Sequence, residues 1–320
     1  MHADFSELLL ALYGLSNELP IESFQNAALA LVKRVLPFDA SMWGTATTAA
    51  DGIDVHTLHL HQKTPQMMVD YVPLKHFDTA AASLYAAPQA TKGFHSTSWW
   101  RAPHEREFLE YLRRYEQNNI FITTRHDVQT RFMHWISLFR ADEDAYCLPG
   151  EERLLDLLAP HLMQALAMNR VIHLQRLSDG VPDKGAAIAD LCGMVYHSDP
   201  VFGALLRREW EAWCGGRLPA CVMQAFLAGR KRFLGDHIVI TQRAEHGLLF
   251  LHCRERCRVD ELTAREYAIA QLVAKGHSYK EIAQLLARAP ATVRNHIQAI
   301  HAKLGVGSIA ALIEELRRVG

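Results

Sequence analysis

The sequence lacks most of the features that mark a specialised protein class. No uncharged apolar run approaches the roughly 18 to 20 residues needed to cross a bilayer. The short leucine run within Met1–Leu15 has no basic leader and is interrupted by Asp4 and Glu7, which argues against a signal peptide. Cysteine is sparse, with six in 320 residues, and the pair Cys253/Cys257 has no second pair at metal-site spacing. That excludes a disulfide scaffold and fits reduced thiols in a cytoplasmic protein. There is almost no net charge (−1), so the whole chain is no polycation, and any affinity for nucleic acid has to come from a local patch. Gly-x-Ser-x-Gly and Gly-x-Gly-x-x-Gly are absent, as are paired carboxylates at catalytic spacing and the acidic cluster of a receiver domain. These absences point away from an enzyme.

What remains is globular: 49% of residues are apolar and 22% charged, in a length that suits two or three domains. Helical spacing of Ile21, Phe24, Ala28, Leu31 and Val32 predicts two helices before Pro37. Strand-like runs follow at 39–48 and 53–61 around Asp51-Gly52, and again at 119–126 and 132–141, with a short helix near 105–115. Pro149 to Leu177 reads as one long helix. Leu155, Leu158, Leu162, Ala165, Asn169 and Ile172 recur three and four apart, as in a coiled-coil seam, although Pro160 should kink it. The seam suits either packing on the helix's own sheet or a dimer-forming signalling helix. Ser178–Gly185 reads as a linker, and 186–258 as a compact β-β-α-α-β-β unit.

The clearest pattern lies from Asp260 onward. Thr263 with Glu266, and Ser278 with Glu281, are capping boxes that open two helices. Gly276 is placed to stop the first, and Ile282, Leu285 and Leu286 to face inward from the second. Pro290 opens a third helix, in which Val293, Ile297, Ile300 and Leu304 share one face. The opposite face carries Ala291, Asn295, Gln298 and Ala302, with Arg294 and His301 on one shoulder and Thr292, His296 and Lys303 on the other. Asn, Gln and Arg offer the donor–acceptor pairs and forks that read base edges in a major groove.

This segment closely resembles the LuxR-type helix-turn-helix family through Leu262, Thr263, Arg265, Glu266, Gly276, Ser278, Lys280, Glu281, Ile282, Ala283, Leu285, Thr292, Val293, His296, Ile297, Lys303, Leu304, Gly305 and Val306. The resemblance implies that Arg294, Asn295 and Gln298 face bases and that Lys280, Thr292 and Lys303 approach phosphates. It also implies a fourth helix, 308–319, whose stripe of Ile309, Leu312, Ile313 and Leu316 contributes to dimer contacts. Two positions depart from the family. Ala289 stands where a Ser usually caps the third helix, a difference worth about 1 kcal/mol, and Ile309 replaces a common basic residue. Eight Lys/Arg against six Asp/Glu from Asp260 onward leave a local charge of only +2.

Upstream, the element order of residues 1–177 resembles a GAF domain and that of 186–258 a small PAS domain. The expected architecture is therefore two α+β sensory domains followed by an all-α four-helix LuxR-type domain at 260–320. The aromatic-rich first unit offers Trp43, Tyr71, Asp78, Tyr85 and Trp135 as a candidate pocket for a small, largely apolar ligand. Its segment 71–100 is faintly similar to the acyl-homoserine-lactone domain of quorum-sensing regulators, with Asp78-Thr79 where that family has Asp-Pro. His56, His59 and His61 alternate on one strand, which is poor geometry for a metal, and neither metal nor cofactor is expected. The reading is a cytoplasmic, homodimeric regulator that binds double-stranded DNA and answers to a small-molecule effector, with no membrane association. The alternatives are a quorum-sensing lactone receptor and a sensory adaptor that does not bind DNA.

Overall fold

The computed structural model describes residues 2–49, 52–84, 87, 89–127, 131–177 and 184–317. The chain opens with helices α1 (His2–Glu18) and α2 (Ile21–Lys33), then strands β1 (Ala40–Ala49) and β2 (Gly52–His61). Short helices α3 (Gln66–Tyr71) and α4 (Thr79–Ala82) flank a 3-10 turn at Val72–Phe77. Strand β3 (Gln89–His95), helices α5 (Ser96–Trp99) and α6 (Arg106–Arg114), and strands β4 (Asn119–Asp127) and β5 (Phe132–Arg140) complete an antiparallel sheet in the order β2-β1-β5-β4-β3.

Both faces of this sheet are covered, and that decides what its side chains can do. Trp43, Phe121, Ile136 and Leu138 point to a core built with α1, α2 and the long helix α7 (Pro149–Leu177). Phe94, Ile120, Ile122 and Phe139 point the other way, to Met67, Trp100, Phe108 and Tyr111 from the short helices. Helix α7 runs unbroken through Pro160. Of its expected seam, Leu155, Leu158, Leu162, Ala165 and Asn169 are buried inside the chain, while Ile172 is only half-buried. Asn169 donates from Nδ2 to the carbonyls of Ser16 (3.0 Å) and Leu19 (2.9 Å), tying α7 to the end of α1. The seam is thus used within the fold, and the packed-helix reading prevails over a coiled coil on that face. The start of α7 is fixed by Glu151, which takes two bonds from Arg140 (2.6 and 3.1 Å), and by Glu152, which accepts from the Gly93 amide (2.7 Å). Gly93 has to be glycine here, because a Cβ would lie 2.3 Å from the Cys147 Cβ.

The candidate linker falls mostly at 178–183, outside the described residues. Beyond it come β6 (Gly185–Asp190), β7 (Val195–Ser198), α8 (Pro200–Glu209), α9 (Ala220–Leu227), β8 (Arg232–Leu234), β9 (Ile238–Glu245) and β10 (Leu248–Glu255). They form a second five-stranded antiparallel sheet, β7-β6-β10-β9-β8, with the same strand order as the first. One face packs on α8 and α9. The other meets the end of α7, where Ile188, Leu248 and Phe250 enclose Leu174 and Ile21. Helix α7 is therefore shared, its first half packed on one sheet and its last turns on the other.

Helices α10 (Ala264–Ala274), α11 (Tyr279–Leu285), α12 (Pro290–Leu304) and α13 (Ile309–Arg317) close the described chain around a core of Ile269, Val273, Ile282, Val293, Ile300, Leu304 and Leu312. Two α+β units followed by an all-helical one are the architecture expected from sequence. Among the described residues no single helix is long and apolar enough to cross a membrane.

Candidate nucleic-acid interface and apolar cavity

Both predicted capping boxes form. Thr263 N–H donates to Glu266 Oε2 (2.8 Å) while Glu266 N–H donates to Thr263 Oγ1 (3.3 Å), and Ser278 and Glu281 repeat the exchange at 2.7 and 3.4 Å. At the start of α12, Ala289 has the extended backbone of a cap (φ −69°, ψ 139°) but no side chain to bond the free amides, and Pro290 follows. The helix ends at Gly305, whose φ of +66° is left-handed. A Cβ there would also lie 2.4 Å from Arg258 Nη1, which donates to the Leu304 carbonyl (3.3 Å).

Between these ends α12 is two-sided. Val293, Ile300 and Leu304 are buried, whereas Ala291, Thr292, Arg294, Asn295, Gln298, Ala302 and Lys303 are exposed. The Arg294 guanidinium lies 4.7 Å above the Tyr279 ring, which holds it toward α11. Lys280, also exposed, lies in the first turn of that helix. Lys303 has an internal partner that the sequence did not indicate, donating to Glu266 Oε2 at 2.7 Å. With the Lys303 ammonium and the Thr263 amide beside it, the Glu266 carboxyl is held down at about 2. One expectation fails nearby: Leu285 is 61% exposed rather than inward, because α11 reaches its last residue there and Leu286 takes the place against the core. On α13, Leu312 is fully buried under α10, which leaves Ile309 as the exposed apolar residue of the expected stripe.

The helical unit is held to the second sheet by one carboxylate. Asp260 accepts from Arg254 Nη2 (2.6 Å) and Nη1 (2.7 Å), from the Cys257 amide (2.9 Å) and from Arg232. Burial pushes its carboxyl up, and the bonds from Arg254 and Cys257, with the charge of Arg232, more than offset that and hold it below the usual range.

Of the five residues expected in a ligand pocket, Tyr71, Asp78 and Trp135 line one cavity of about 50 Å³ between the first sheet and α3 to α6. Trp43 does not. It alternates with Met42, which faces the cavity, so its ring lies on the opposite side of the sheet 6.4 Å from Phe24. Tyr85 lies outside the described residues. Tyr71 donates its hydroxyl to Asp78 Oδ2 (3.0 Å), and Asp78 Oδ1 caps α4 by accepting from the Ala81 amide (3.0 Å). Burial pushes the Asp78 carboxyl above the ordinary carboxylate range, despite the bonds from Ala81 and Tyr71. Trp100, Phe108 and Thr124 also line the space, and the Thr124 hydroxyl is buried there without a hydrogen-bond partner among the described residues. Met133, Ser137 and Phe139 line the cavity as well, and their signal was the alternation with the predicted Trp135 along β5. It was obscured by the equally apolar Ile136 and Leu138 between them.

The histidines of β2 divide as their alternation predicts. His59 Nε2 and His61 Nδ1 both contact Asn26 Oδ1 (2.9 and 3.0 Å), while His56 faces away, its Nδ1 2.8 Å from Asp190 Oδ2 on the second sheet.

Comparison with known proteins bears on this geometry. Residues 260–316 match the family of bacterial regulatory proteins named for luxR. An HTH-type transcriptional regulator of Mycobacterium tuberculosis is 29% identical over 179 residues, a match that covers 49% of this chain and 19% of the relative. The chain thus spans about a fifth of the length of the curated relatives it matches. Among solved structures, the LuxR-family factor CepR2 of Burkholderia cenocepacia aligns over 55% of this chain and 99% of its own, at 14% identity and a TM-score of 0.39. Escherichia coli SdiA aligns over 98% and 97%, at 13% identity and a TM-score of 0.36. The matched family and the curated relatives are regulators rather than enzymes. With its two capping boxes, its left-handed glycine stop and its two-sided third helix, the segment 260–316 is a helix-turn-helix domain of the luxR family.

Proposed function

We propose that this protein is a cytoplasmic one-component transcriptional regulator that binds promoter DNA as a homodimer. Its working domains are 1–177, 186–258 and 260–320. Helix α12 enters the major groove with Arg294, Asn295 and Gln298 at base edges, while Lys280, Thr292 and Lys303 lie along the phosphates. The observation that carries this reading is the exposed polar face of α12 set over a buried Val293–Ile300–Leu304 seam. The small side chains of Ala291 and Ala302 leave room for close approach. Lys303, paired with Glu266 in the free chain, both fixes α12 on α10 and presents its charge at the rim. With a local charge of +2 the single domain grips DNA weakly, and pairing two copies supplies the affinity.

The effector site in this reading is the Tyr71–Asp78–Trp135 cavity. Its buried, unbonded Thr124 hydroxyl and raised Asp78 carboxyl are polar handles in an apolar wall, as a small-molecule site requires. At about 50 Å³ it has to widen to admit a ligand of ordinary size, which links binding to movement of α3 to α6. A gel shift on fragments of the source genome tests the DNA face. Arg294→Ala and Asn295→Ala are expected to lose specific binding, and retention of wild-type binding by both would refute the assignment.

A further inference from the structure

A second, larger cavity of about 510 Å³ opens where the first sheet, the C-terminal half of α7 and the second sheet meet. Met163, Leu166 and Ile188 give it an apolar wall, and Arg125, Arg170 and Tyr196 a polar one. Arg170 is the anomaly. It is only 7% exposed, and its guanidinium lies 5.0 Å over the Tyr196 ring. Among the described residues, no carboxylate stands within ion-pair distance of it and no acceptor takes its N–H groups.

Asp190 attracts Arg170 through space, but its own oxygens are committed. Oδ2 takes His56 Nδ1 (2.8 Å) and the Tyr196 hydroxyl (3.1 Å), and Oδ1 takes the amides of Cys192 (2.8 Å) and Met194 (2.9 Å). A guanidinium carries five donors and cannot shed its charge. Arg170 lines both this cavity and an adjoining one of about 290 Å³, so a bound group can supply the acceptors that the protein does not. The neighbouring His134 makes no hydrogen bond to Arg170 among the described residues. Burial, with Arg170 and Arg125 behind it, holds the His134 imidazole down to about 4, so it is neutral near pH 7 and offers no opposing charge.

We infer that this cavity is a binding site for an organic carboxylate, with the carboxylate on the Arg170 fork and a hydrocarbon body against Met163, Leu166 and Ile188. The volume is that of a site for a ligand of moderate size, and a planar guanidinium matches a carboxylate through two parallel bonds. One negative charge fits better than two. Among the described residues Arg170 is the one buried cation on the wall, Arg125 is exposed, and Asp190 already places a negative charge close by. Because both sheets and α7 contribute walls, the bound acid stabilises their junction. This site stands on the opposite side of the first sheet's packing from the Asp78 cavity and does not depend on it.

The test uses the full chain, with octanoate as probe and 1-octanol and inorganic phosphate as comparators. Binding is followed by calorimetry and by thermal melting. Octanoate is expected to bind and raise the melting midpoint, while 1-octanol and phosphate do so at least tenfold more weakly. Arg170→Met is expected to weaken octanoate at least tenfold while keeping a cooperative melt without ligand. Ile188→Trp, which fills the apolar end, is expected to exclude octanoate while leaving Arg170 in place. No effect of octanoate on wild type, or equal binding by Arg170→Met (as a site at Asp78 would give), would overturn the assignment. Phosphate binding as tight as octanoate would overturn its organic part. None of these readouts involves DNA, so they stand apart from the outcome of the gel shift.

Discussion

Restoring the missing cap of α12 by Ala289→Ser should stabilise the start of that helix by about 1 kcal/mol. The backbone is already prepared. Ala289 has φ −69° and ψ 139°, close to Ser278 at −69° and 157°, whose side chain does cap its helix. A serine hydroxyl at 289 can therefore accept from the Thr292 amide without any backbone movement. The gain is that of a single cap, because Thr292 stands where a full capping box would have Glu and no carboxylate returns to the cap amide. Hydrogen exchange on the full chain reads the effect locally. At 1.4 kcal/mol per tenfold, amides in the first turns of α12 should exchange about fivefold more slowly. Ala289→Val, whose side chain cannot cap, is the control and should give no gain. If Ser and Val give the same protection, the uncapped start is not what limits α12.

Other substitutions probe the remaining links. Asp260→Ala leaves Arg254 and Arg232 without their shared carboxylate and should cost about 3 kcal/mol, at the low end for a broken buried pair because Arg232 is partly exposed. Faster exchange across 254–262 with the first sheet unchanged would show it, and unchanged exchange would mean that Asp260 does not hold the two units together. Glu266 is held at about 2, well below its ordinary 4.5, so its contribution to folding is complete above about pH 4.5 and fades as pH falls toward 2. An acid titration of helix stability should show that loss in wild type and less of it in Lys303→Met; identical profiles would exclude the Lys303 contact as its source. Gly93→Ala forces a Cβ against Cys147 and should destabilise the junction of β3 with α7 by about 1 to 3 kcal/mol, read as a lower denaturant midpoint. Wild-type stability would mean the backbone there can give.

How much of this was legible in the sequence depended on whether a segment was one-sided. The helix-turn-helix could be read almost residue by residue because its helices are short, capped by local hydrogen bonds and apolar on one face only. Thr263, Ser278, Pro290 and Gly305 all signal through near neighbours. The misreading of Leu285 came at a helix end, where a single residue's rotation decides burial. The first sheet was harder. With cores on both faces, β5 reads as nearly continuous apolar residue types, so alternation could not say that Trp135 faces the cavity while Trp43, on β1, faces the opposite core. Strands β3 and β8 were missed because they are edge strands with little apolar pattern of their own, Gln89–His95 and Arg232–Leu234. The α7 seam left packing on its own sheet and pairing with a partner equally open, because a seam records only that something covers it. That α1, α2 and the first sheet do so is a long-range fact. Contacts such as His56–Asp190 and Arg254–Asp260 join different units and leave no mark in local spacing.

Whether the polar face of α12 engages a DNA backbone is tested most directly by the salt dependence of binding. With Lys280 and Lys303 from each of two protomers as phosphate contacts, log K against log salt concentration should fall with a slope of about −3 to −4. The same titration with Lys280→Ala should bring the slope closer to zero by about 2. A wild-type slope near zero would contradict the account and point instead to apolar association through the terminal helices.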